Sequence, residues 1–344
     1  MHPNPSLRLL AAGLLIGLAQ SATSAAPTYS VKDIGPINGS IKAAAMNDKG
    51  WITGTSSNLP DGASGAFITG PDGKNPRPLG DDLRPYAINN HGAIVGTFND
   101  ARGEVRAFAS GKQGSEPHDI GTLGGASAGA LAINNHGLVV GYAETDLGSQ
   151  NIRAFRYDSD TGKMTVLGNC PIAASSAQAV NDKGVIAGNF FCQETDPIQV
   201  FIASPPDYNL VGYALQDASN FQVNAISPRG SVIGTVSASG HPTRSFVIHP
   251  GKQIEVLRTP EDLLMTMANG LNDAGAIVGI FEANPSGEFR AFVCNGDCSD
   301  LTDLNTLATL PAGVLLTQAM SINAGGQILA TGSDGHGYLL TPKP

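Results

Sequence analysis

The sequence predicts an all-β fold, a seven-bladed β-propeller whose ring is closed by a strand near the N-terminus. Seven copies of the motif Asn-x-x-Gly-x-Ile/Val-x-Gly, two of them with substitutions, follow one another at spacings of 42 to 51 residues. This is the length of a four-stranded propeller blade. One aromatic residue recurs in each unit, and the last unit lacks a fourth strand that an N-terminal segment resembles. A β-solenoid with rungs of about 23 residues gives the same double period and is the alternative.

The first residue of each motif, here called the anchor, begins a predicted turn between two strands. Asn at the first position and Gly at the fourth are favoured in type I turns. The residue before the anchor is always apolar, and the residue two before it is always Ala, Gly or Ser. Because alternate residues of a strand face opposite sides, we expect a core residue on one side and close approach by a neighbour on the other. The anchors are Asn47, Asn89, Asn134, Asn181, Ser227, Asn272 and Asn323.

A third strand is marked by the recurring aromatic residue, which is expected to fill the core between stacked sheets. The aromatic residues are Phe67, Phe108, Phe155, Phe201, Phe246, Phe292 and Tyr338. The chain ends six residues after Tyr338, so the seventh unit has no fourth strand of its own. Residues 31–35 resemble the fourth strand at residues 118–121. A ring that takes its last strand from residues 29–35 has no exposed strand edge.

These units resemble those of the HAF-repeat family of extracellular bacterial repeat proteins. The resemblance rests on Arg106-Ala107-Phe108, on residues 119–125 and on residues 132–142, and it extends over nearly the whole chain after the N-terminal segment. It implies export and repetition, and it brings no catalytic residues with it. Unit five departs from the pattern at Ser227-Pro228, and unit seven departs at residues 324–326 and at Ala330. We expect the corresponding blades to be distorted.

The N-terminus has the features of a secretory signal. Arg8 provides a positive charge, residues 9–19 are apolar, and Thr23-Ser24-Ala25 provides a small-residue cleavage site. We therefore predict a signal peptide at residues 1–25, a propeller domain at residues 26–344 and a secreted or periplasmic location. A hydrophobic N-terminal helix of the mature domain is the alternative. No later segment has the 18 or so apolar residues of a membrane helix, so no membrane span is expected in the mature chain.

The charge balance argues against some partners. The net charge is −9 and the isoelectric point is near 5.1. Nucleic acids and anionic membranes require basic patches, and no run of Lys or Arg supplies one. The expected partner is therefore an unidentified protein or glycan, bound by a monomeric chain.

The four cysteines are expected to form disulfides in an oxidising compartment. Four cysteines allow three pairings, and spacing alone does not decide between them. Cys170 and Cys192 follow strands that end on the same side of the predicted ring, and Cys294 and Cys298 flank a predicted turn. We predict these two pairs. A zinc site is disfavoured because two of the cysteines are separated by three residues rather than two.

The sequence contains little that indicates catalysis. The strand before each anchor has no Asp, Glu, His or Cys in its last five residues, and nucleotide-binding and nucleophile-elbow motifs are absent. No cofactor or metal is expected. The leading hypothesis is a non-catalytic binding or scaffold module whose loops on one side carry the selectivity. The ligand-binding candidates are Asp146, Glu194, Asp196 and Glu282. The alternative is a propeller enzyme that uses loop carboxylates on a carbohydrate or related polymer.

Overall fold

Seven four-stranded antiparallel sheets form the structure, which is a computed structural model. It describes residues 28–36, 44–56, 65–147, 151–168, 174–191, 197–216, 218–260, 263–283 and 287–344. The predicted signal peptide lies outside the described residues, as do Cys170, Cys192, Glu194 and Asp196. Among the described residues, no helix has the length and apolar character needed to cross a membrane.

Each sheet is one blade, and its strands follow one another in sequence from the inside of the ring to the outside. Blades 1 to 3 contain β2 (Ala44–Met46), β3 (Ile52–Ser56), β4 (Gly65–Ile68), β5 (Arg77–Gly80), β6 (Arg84–Ile88), β7 (Ile94–Asn99), β8 (Val105–Ala109), β9 (His118–Asp119), β10 (Ala128–Ile133), β11 (Leu138–Glu144), β12 (Ile152–Asp158) and β13 (Lys163–Val166). Blades 4 to 6 contain β14 (Ser175–Val180), β15 (Ile186–Phe190), β16 (Gln199–Ala203), β17 (Val211–Tyr213), β18 (Asn220–Ile226), β19 (Val232–Ser237), β20 (Arg244–Ile248), β21 (Ile254–Val256), β22 (Leu263–Leu271), β23 (Ala276–Ala283), β24 (Glu288–Asn295) and β25 (Thr302–Asp303). Short 3₁₀ turns lie at Pro71–Gly73, Lys112–Gly114 and Leu304–Thr306.

Blade 7 confirms the predicted closure of the ring. It consists of β26 (Leu316–Ile322), β27 (Ile328–Gly332), β28 (His336–Pro342) and, as its outer strand, β1 (Tyr29–Pro36). β1 pairs antiparallel with β28, with Tyr29 opposite Pro342. Seven separate blades arranged in this way confirm the propeller, and the β-solenoid alternative is wrong.

The two ends of the ring are built from different connections. The turns after the first and third strands of each blade form one end, here called the turn face. The connections after the second and fourth strands form the other end, here called the loop face. This division follows directly from the antiparallel order of the four strands.

The anchors hold the turn face together by hydrogen bonds within and between blades. In Asn89, for example, the side-chain oxygen accepts from the backbone N–H groups of His91 and Ala93 at 3.0 Å. Its amide nitrogen donates to the backbone oxygen of Asn134, the next anchor, at 3.1 Å. All six asparagine anchors donate to the following anchor in this way, at 2.8–3.4 Å, and Asn323 donates to Asn47 across the closure. The anchors are therefore links between blades as well as turn residues.

The recurring aromatic residues are buried in all seven blades, as predicted. In the second strand, a glycine faces the aromatic ring of the third strand. A β-carbon added at Gly234 would clash with the backbone oxygen of Gln222 and lie 2.8 Å from the ring of Phe246. The motif therefore ends in glycine at this position because the backbone of the first strand and the aromatic ring of the third strand leave no room for a side chain.

The expected distortion of blades 5 and 7 is not seen between their second and third strands. Gly234 lies opposite Phe246 and Ala330 lies opposite Tyr338, the register that the other blades also have. The substitution in blade 5 acts only at the turn, because Ser227 has no amide nitrogen to donate to Asn272. The predicted disulfide between Cys294 and Cys298 is confirmed, with their α-carbons 4.9 Å apart at a turn of blade 6.

Candidate functional site

The loop face contains the described candidates for ligand binding, but it does not bring them together. Asp146 is exposed in the connection after β11 of blade 3, where its carboxylate accepts from the Thr145 hydroxyl at 3.1 Å. Glu282 is half-buried near the end of β23 of blade 6. The two residues are three blades apart, so they belong to different parts of the loop face.

The structure adds apolar side chains to the surroundings of Glu282. Phe289 lies opposite Glu282 on β24, and Met265 lies opposite it on β22. A register shift at Leu264 displaces this residue from the ladder. Leu264 and Phe289 are 41% and 46% exposed at the loop-face ends of β22 and β24, and we call these two residues the apolar patch. Glu282 thus has one exposed apolar side chain, Phe289, directly opposite it, and this combination is suited to binding.

Exposed apolar side chains are distributed unequally over the described residues. Val105, Leu147, Leu264 and Phe289 lie at the loop face, in or beside its connections. Val166 and Val256 end outer strands at the loop-face end, whereas Val211 begins β17 at the turn-face end. Val211 is therefore the one exposed large apolar residue of the described chain at the turn face. Exposed apolar surface marks interaction sites, so the loop face is the better candidate.

Charges are also unequal between the two faces. The described loop-face connections carry acidic residues and two arginines but no lysine: Asp81, Asp82, Asp100, Glu104, Asp146, Asp334, Arg102 and Arg258. The described turn-face connections carry six cations and nine carboxylates: Lys49, Lys74, Lys112, Lys183, Lys252, Arg229, Asp48, Asp72, Glu116, Asp160, Asp182, Asp207, Asp273, Asp297 and Asp300. Both faces are therefore net acidic, and the loop face differs in having fewer cations and no lysine.

Arginines of the third strands hold the loop-face connections in place. Arg106 contacts the carboxylate of Asp119 at 2.9 Å and donates to the backbone oxygen of Ala126. Arg290 contacts Glu288 and Asp303 at 2.8 and 3.1 Å, and these hydrogen bonds raise its pKa. The recurrent arginine before the buried aromatic residue thus fixes the fourth strand or the connection that follows it.

Near blades 2 and 3, two tyrosines and a glutamate approach one another. Burial raises the pKa of Tyr142, and the neighbouring Tyr86 and Glu144 raise it further. The carboxylate of Glu144 accepts from the backbone N–H groups of Ala126 and Ser127 at 3.1 and 3.3 Å. Glu144 therefore shapes the connection between the two blades.

The most strongly perturbed titratable groups lie in blade 7. The imidazole of His336 is 2.9 Å from the Asp33 carboxylate, and this hydrogen bond raises the pKa of His336. Burial, with a 2.7 Å hydrogen bond to Asp334, raises the pKa of Tyr338 far above its usual range. Desolvation opposes the ionisation of Asp334, but the hydrogen bonds from Tyr338 and His336 outweigh it and lower the pKa. The group joins β1 to β28, which is a structural role.

The seven inner strands enclose a central channel made of layers. At the turn face, the first layer contains the anchors and the Asn or Asp residues that follow them. The next layer is the apolar residue before each anchor, including Met46, Ile88 and Ile133. Beyond it, a cavity of about 250 Å³ receives residues from all seven inner strands. The apolar layer separates this cavity from the turn face.

A β-bulge places the side chains that line this cavity. In blades 2 to 7, the first strand shifts register at the third residue before the anchor. A bulge redirects a side chain out of the regular alternation. The bulged residues all line the cavity, and we call them the bulge ring: Tyr86, Leu131, Gln178, Asn224, Asn269 and Met320.

Polar groups of the cavity are incompletely paired within the described protein. Asn269 is 8% exposed and donates its amide N–H to the backbone oxygen of Ala319 at 2.9 Å. Its side-chain oxygen has no hydrogen-bond partner among the described residues. The hydroxyl of Ser321, which also lines the cavity, is likewise buried without a partner in the described chain. Such groups are rare in folded proteins, where water or a ligand usually satisfies them.

Sequence reasoning missed the bulge ring. The position three before the anchor varies from blade to blade, so it carries no repeat signal, and a bulge has no residue requirement. The available signal was the contrast between this variable position and the regular order of a small residue, an apolar residue and the anchor that follows it. Within the described residues, no three His, Cys, Asp or Glu side chains are close enough to bind a metal ion.

A model of a protein family described as "Protein of unknown function (DUF3466)" matches residues 86–280, which is more than half of the chain, so the chain belongs to this family. No curated protein matches the sequence. Solved structures show the same fold at low identity. Oligogalacturonate lyase from Vibrio parahaemolyticus is 12% identical, with a TM-score of 0.58, over 90% of this chain and 93% of the other.

The β-propeller domain of the Trilobed protease from Pyrococcus furiosus is 12% identical, with a TM-score of 0.54, over 90% of this chain and 91% of the other. TolB from Acinetobacter baumannii is 12% identical, with a TM-score of 0.45, over 81% of this chain. The match spans 60% of that TolB chain. At these identities, the likenesses to the lyase and to the Trilobed protease domain show the fold alone.

Proposed function

We propose that this member of the DUF3466 family is an exported, non-catalytic binding module that receives a protein partner on its loop face. The observation that carries the proposal is the placement of exposed apolar residues. Val105, Leu147, Leu264 and Phe289 all lie at the loop face. The turn face is instead occupied by hydrogen bonds between the anchors. A surface that is apolar in places and otherwise polar is typical of a protein interface.

The charge of the loop face indicates what kind of partner it suits. Acidic residues outnumber cations in its described connections, and the third-strand arginines Arg106 and Arg290 are engaged in ion pairs. A partner with a basic surface would be attracted at long range, and its apolar residues would pack on the apolar patch. The proposed partner is therefore a protein with a basic surface, bound by a monomeric propeller.

Export rests on the predicted signal peptide and on the cysteines. The disulfide between Cys294 and Cys298 agrees with an oxidising compartment, where such bonds persist. The HAF-repeat resemblance also implies export and stays a prediction. Mass spectrometry of the protein purified from its native compartment tests this, because processing after Ala25 should leave Ala26 as the first residue. A chain that retains residues 1–25 in the cytoplasm would contradict export.

The binding face is tested with matched surface variants. Phe289→Asp changes the apolar patch, and Lys183→Ala changes the turn face, where Lys183 is exposed. Immobilised proteins are exposed to extract from the compartment where the protein is found, and retained proteins are identified by mass spectrometry. We expect a basic protein to be retained by the wild type and by Lys183→Ala but lost with Phe289→Asp. Loss with Lys183→Ala alone would place binding on the turn face and contradict the proposal.

Two further variants distinguish the enzyme alternative from the binding module. Glycoside hydrolysis requires two carboxylates roughly 5–10 Å apart. Asp146 and Glu282 lie in blades 3 and 6, so they do not form such a pair. Turnover of a carbohydrate polymer that is abolished by Asp146→Asn or Glu282→Gln, with folding intact, would favour the enzyme. Binding to a glycan array without retention of any protein would replace the protein partner by a glycan.

A further inference from the structure

We propose that the bulge ring is a binding site for a small, uncharged polyhydroxylated molecule, about the size of one sugar ring. The site lies inside the central channel, whereas the proposed partner binds the outer loop face. The two proposals rest on different residues and can fail separately.

One hydrogen-bond acceptor is fixed in the cavity wall. The amide nitrogen of Asn269 donates to the backbone oxygen of Ala319, so rotating the amide by 180° would bring two oxygens together. The side-chain oxygen of Asn269 must therefore stay where it is, buried and without a partner in the described protein. Asn224 is held in the same way, by a 2.7 Å hydrogen bond to the backbone oxygen of Ala268.

The unpaired groups that line the cavity are of two kinds. The oxygen of Asn269 accepts, and the hydroxyl of Ser321 both donates and accepts. A ligand that satisfies both must offer a donor to Asn269 and a donor or an acceptor to Ser321. Hydroxyl groups do this at every position, because each one donates one hydrogen bond and accepts others.

The cavity wall contains both polar and apolar groups. Blades 4, 5 and 6 contribute the amides of Gln178, Asn224 and Asn269. Blades 3 and 7 contribute the apolar side chains of Leu131 and Met320, and blades 2 and 7 add the hydroxyls of Tyr86 and Ser321. A sugar ring has hydroxyl groups around its edge and C–H groups on its faces, so it matches a wall that combines amides and hydroxyls with apolar side chains. Binding sites usually combine apolar walls with a few placed polar groups.

The lining of the cavity excludes charged ligands. The residues that line the cavity carry no carboxylate, ammonium, guanidinium or imidazole group. A charged ligand would lose its hydration without gaining an opposite charge, which is unfavourable. The volume of about 250 Å³ is also below the usual range for drug-sized ligands. Both observations favour a small neutral molecule.

The test uses D-glucose, D-galactose and myo-inositol as neutral probes, and D-galacturonate as a charged probe of similar size. Binding is measured by saturation-transfer NMR and by titration calorimetry on the purified propeller. We expect at least one neutral probe to bind and D-galacturonate to bind much more weakly. Binding of none of the neutral probes, or preferential binding of D-galacturonate, would overturn the proposal.

Two variants locate the site. Ser321→Ala removes a hydroxyl that has no described partner, so it should leave the melting temperature unchanged or higher and weaken probe binding about tenfold. Leu131→Trp fills the cavity and should abolish binding, whereas the same change at Leu147, which is 79% exposed, should not. If Leu131→Trp does not fold, Ser321→Ala alone tests whether the probe binds in the cavity. Unchanged affinity in Ser321→Ala, or in a folded Leu131→Trp, would show that the probe binds elsewhere and would refute the site.

Discussion

Replacing the anchor Asn134 by Ala removes three hydrogen bonds from the turn face. Its side-chain oxygen accepts from the backbone N–H groups of His136 and Leu138 at 3.0 and 2.9 Å. Its amide nitrogen donates to the backbone oxygen of Asn181 in the next blade at 3.0 Å. At about 1 kcal/mol each, their loss should lower the free energy of unfolding by about 3 kcal/mol. For a chain of this length, this corresponds to a fall in melting temperature of about 5 °C.

The substituted anchor Ser227 allows the opposite experiment. Ser227→Asn should supply the missing donor to Asn272 and raise the free energy of unfolding by about 1 kcal/mol. Melting is followed by circular dichroism and by the fluorescence of Trp51, the only tryptophan. Exposed Asn209→Ala is the control and should have no effect. A loss below about 1 kcal/mol in Asn134→Ala would refute the view that anchors join the blades. A clear destabilisation by Ser227→Asn would refute it independently.

Other features give separate predictions. Cys298→Ser should lower the free energy of unfolding by about 2 kcal/mol, measured in urea against the wild type with and without reductant; equal stability would contradict it. His336 has a raised pKa, so its ion pair with Asp33 stabilises the fold fully below the ordinary pKa of 6.5 and is lost as the pH rises through the raised value. The melting temperature should therefore fall between about pH 6 and 8, and Asp33→Asn should remove that dependence; an equal dependence in Asp33→Asn would assign it to another group. Gly234→Ala should cost about 3 kcal/mol through overpacking in thermal unfolding, whereas Gly325→Ala, with only an ordinary contact at 3.4 Å, should cost little; similar costs would argue against the clash.

The fold was predictable because its repeated features are local. Asn and Gly at the anchor turn, and one aromatic residue in the third strand, are required by turn geometry and by core packing in each blade separately. The position of β1 followed from the missing strand of the last unit. Close approach at the position two before the anchor is confirmed at Gly270, where an added β-carbon would lie 3.0 Å from the backbone of Ser321.

The candidate sites were less predictable, for different physical reasons. The bulge ring depends on a shift of hydrogen-bond register, and the residue types of Leu131 and Asn269 do not predict such a shift. The apolar patch depends on which side chains the outer sheet leaves uncovered, and exposure of Phe289 is not visible in a sequence that uses phenylalanine mainly for the core. The candidates Asp146 and Glu282 were chosen by charge and loop position, and the anchors Asn134 and Asn272 already place them in the third and sixth units, three blades apart.

The pairing of β1 with β28 also has a consequence for the newly made chain. Tyr29 pairs with Pro342, so ribosomes complete β28 about 300 residues after β1, which takes about 15 to 60 s at the usual rate. Throughout this interval, the backbone groups of β1 lack their partner and can pair with other chains. Blades 1 to 6 can form as they are translated, whereas blade 7 must wait. A nascent chain released before β28 would therefore retain most of its blades and yet present two open ends to its neighbours.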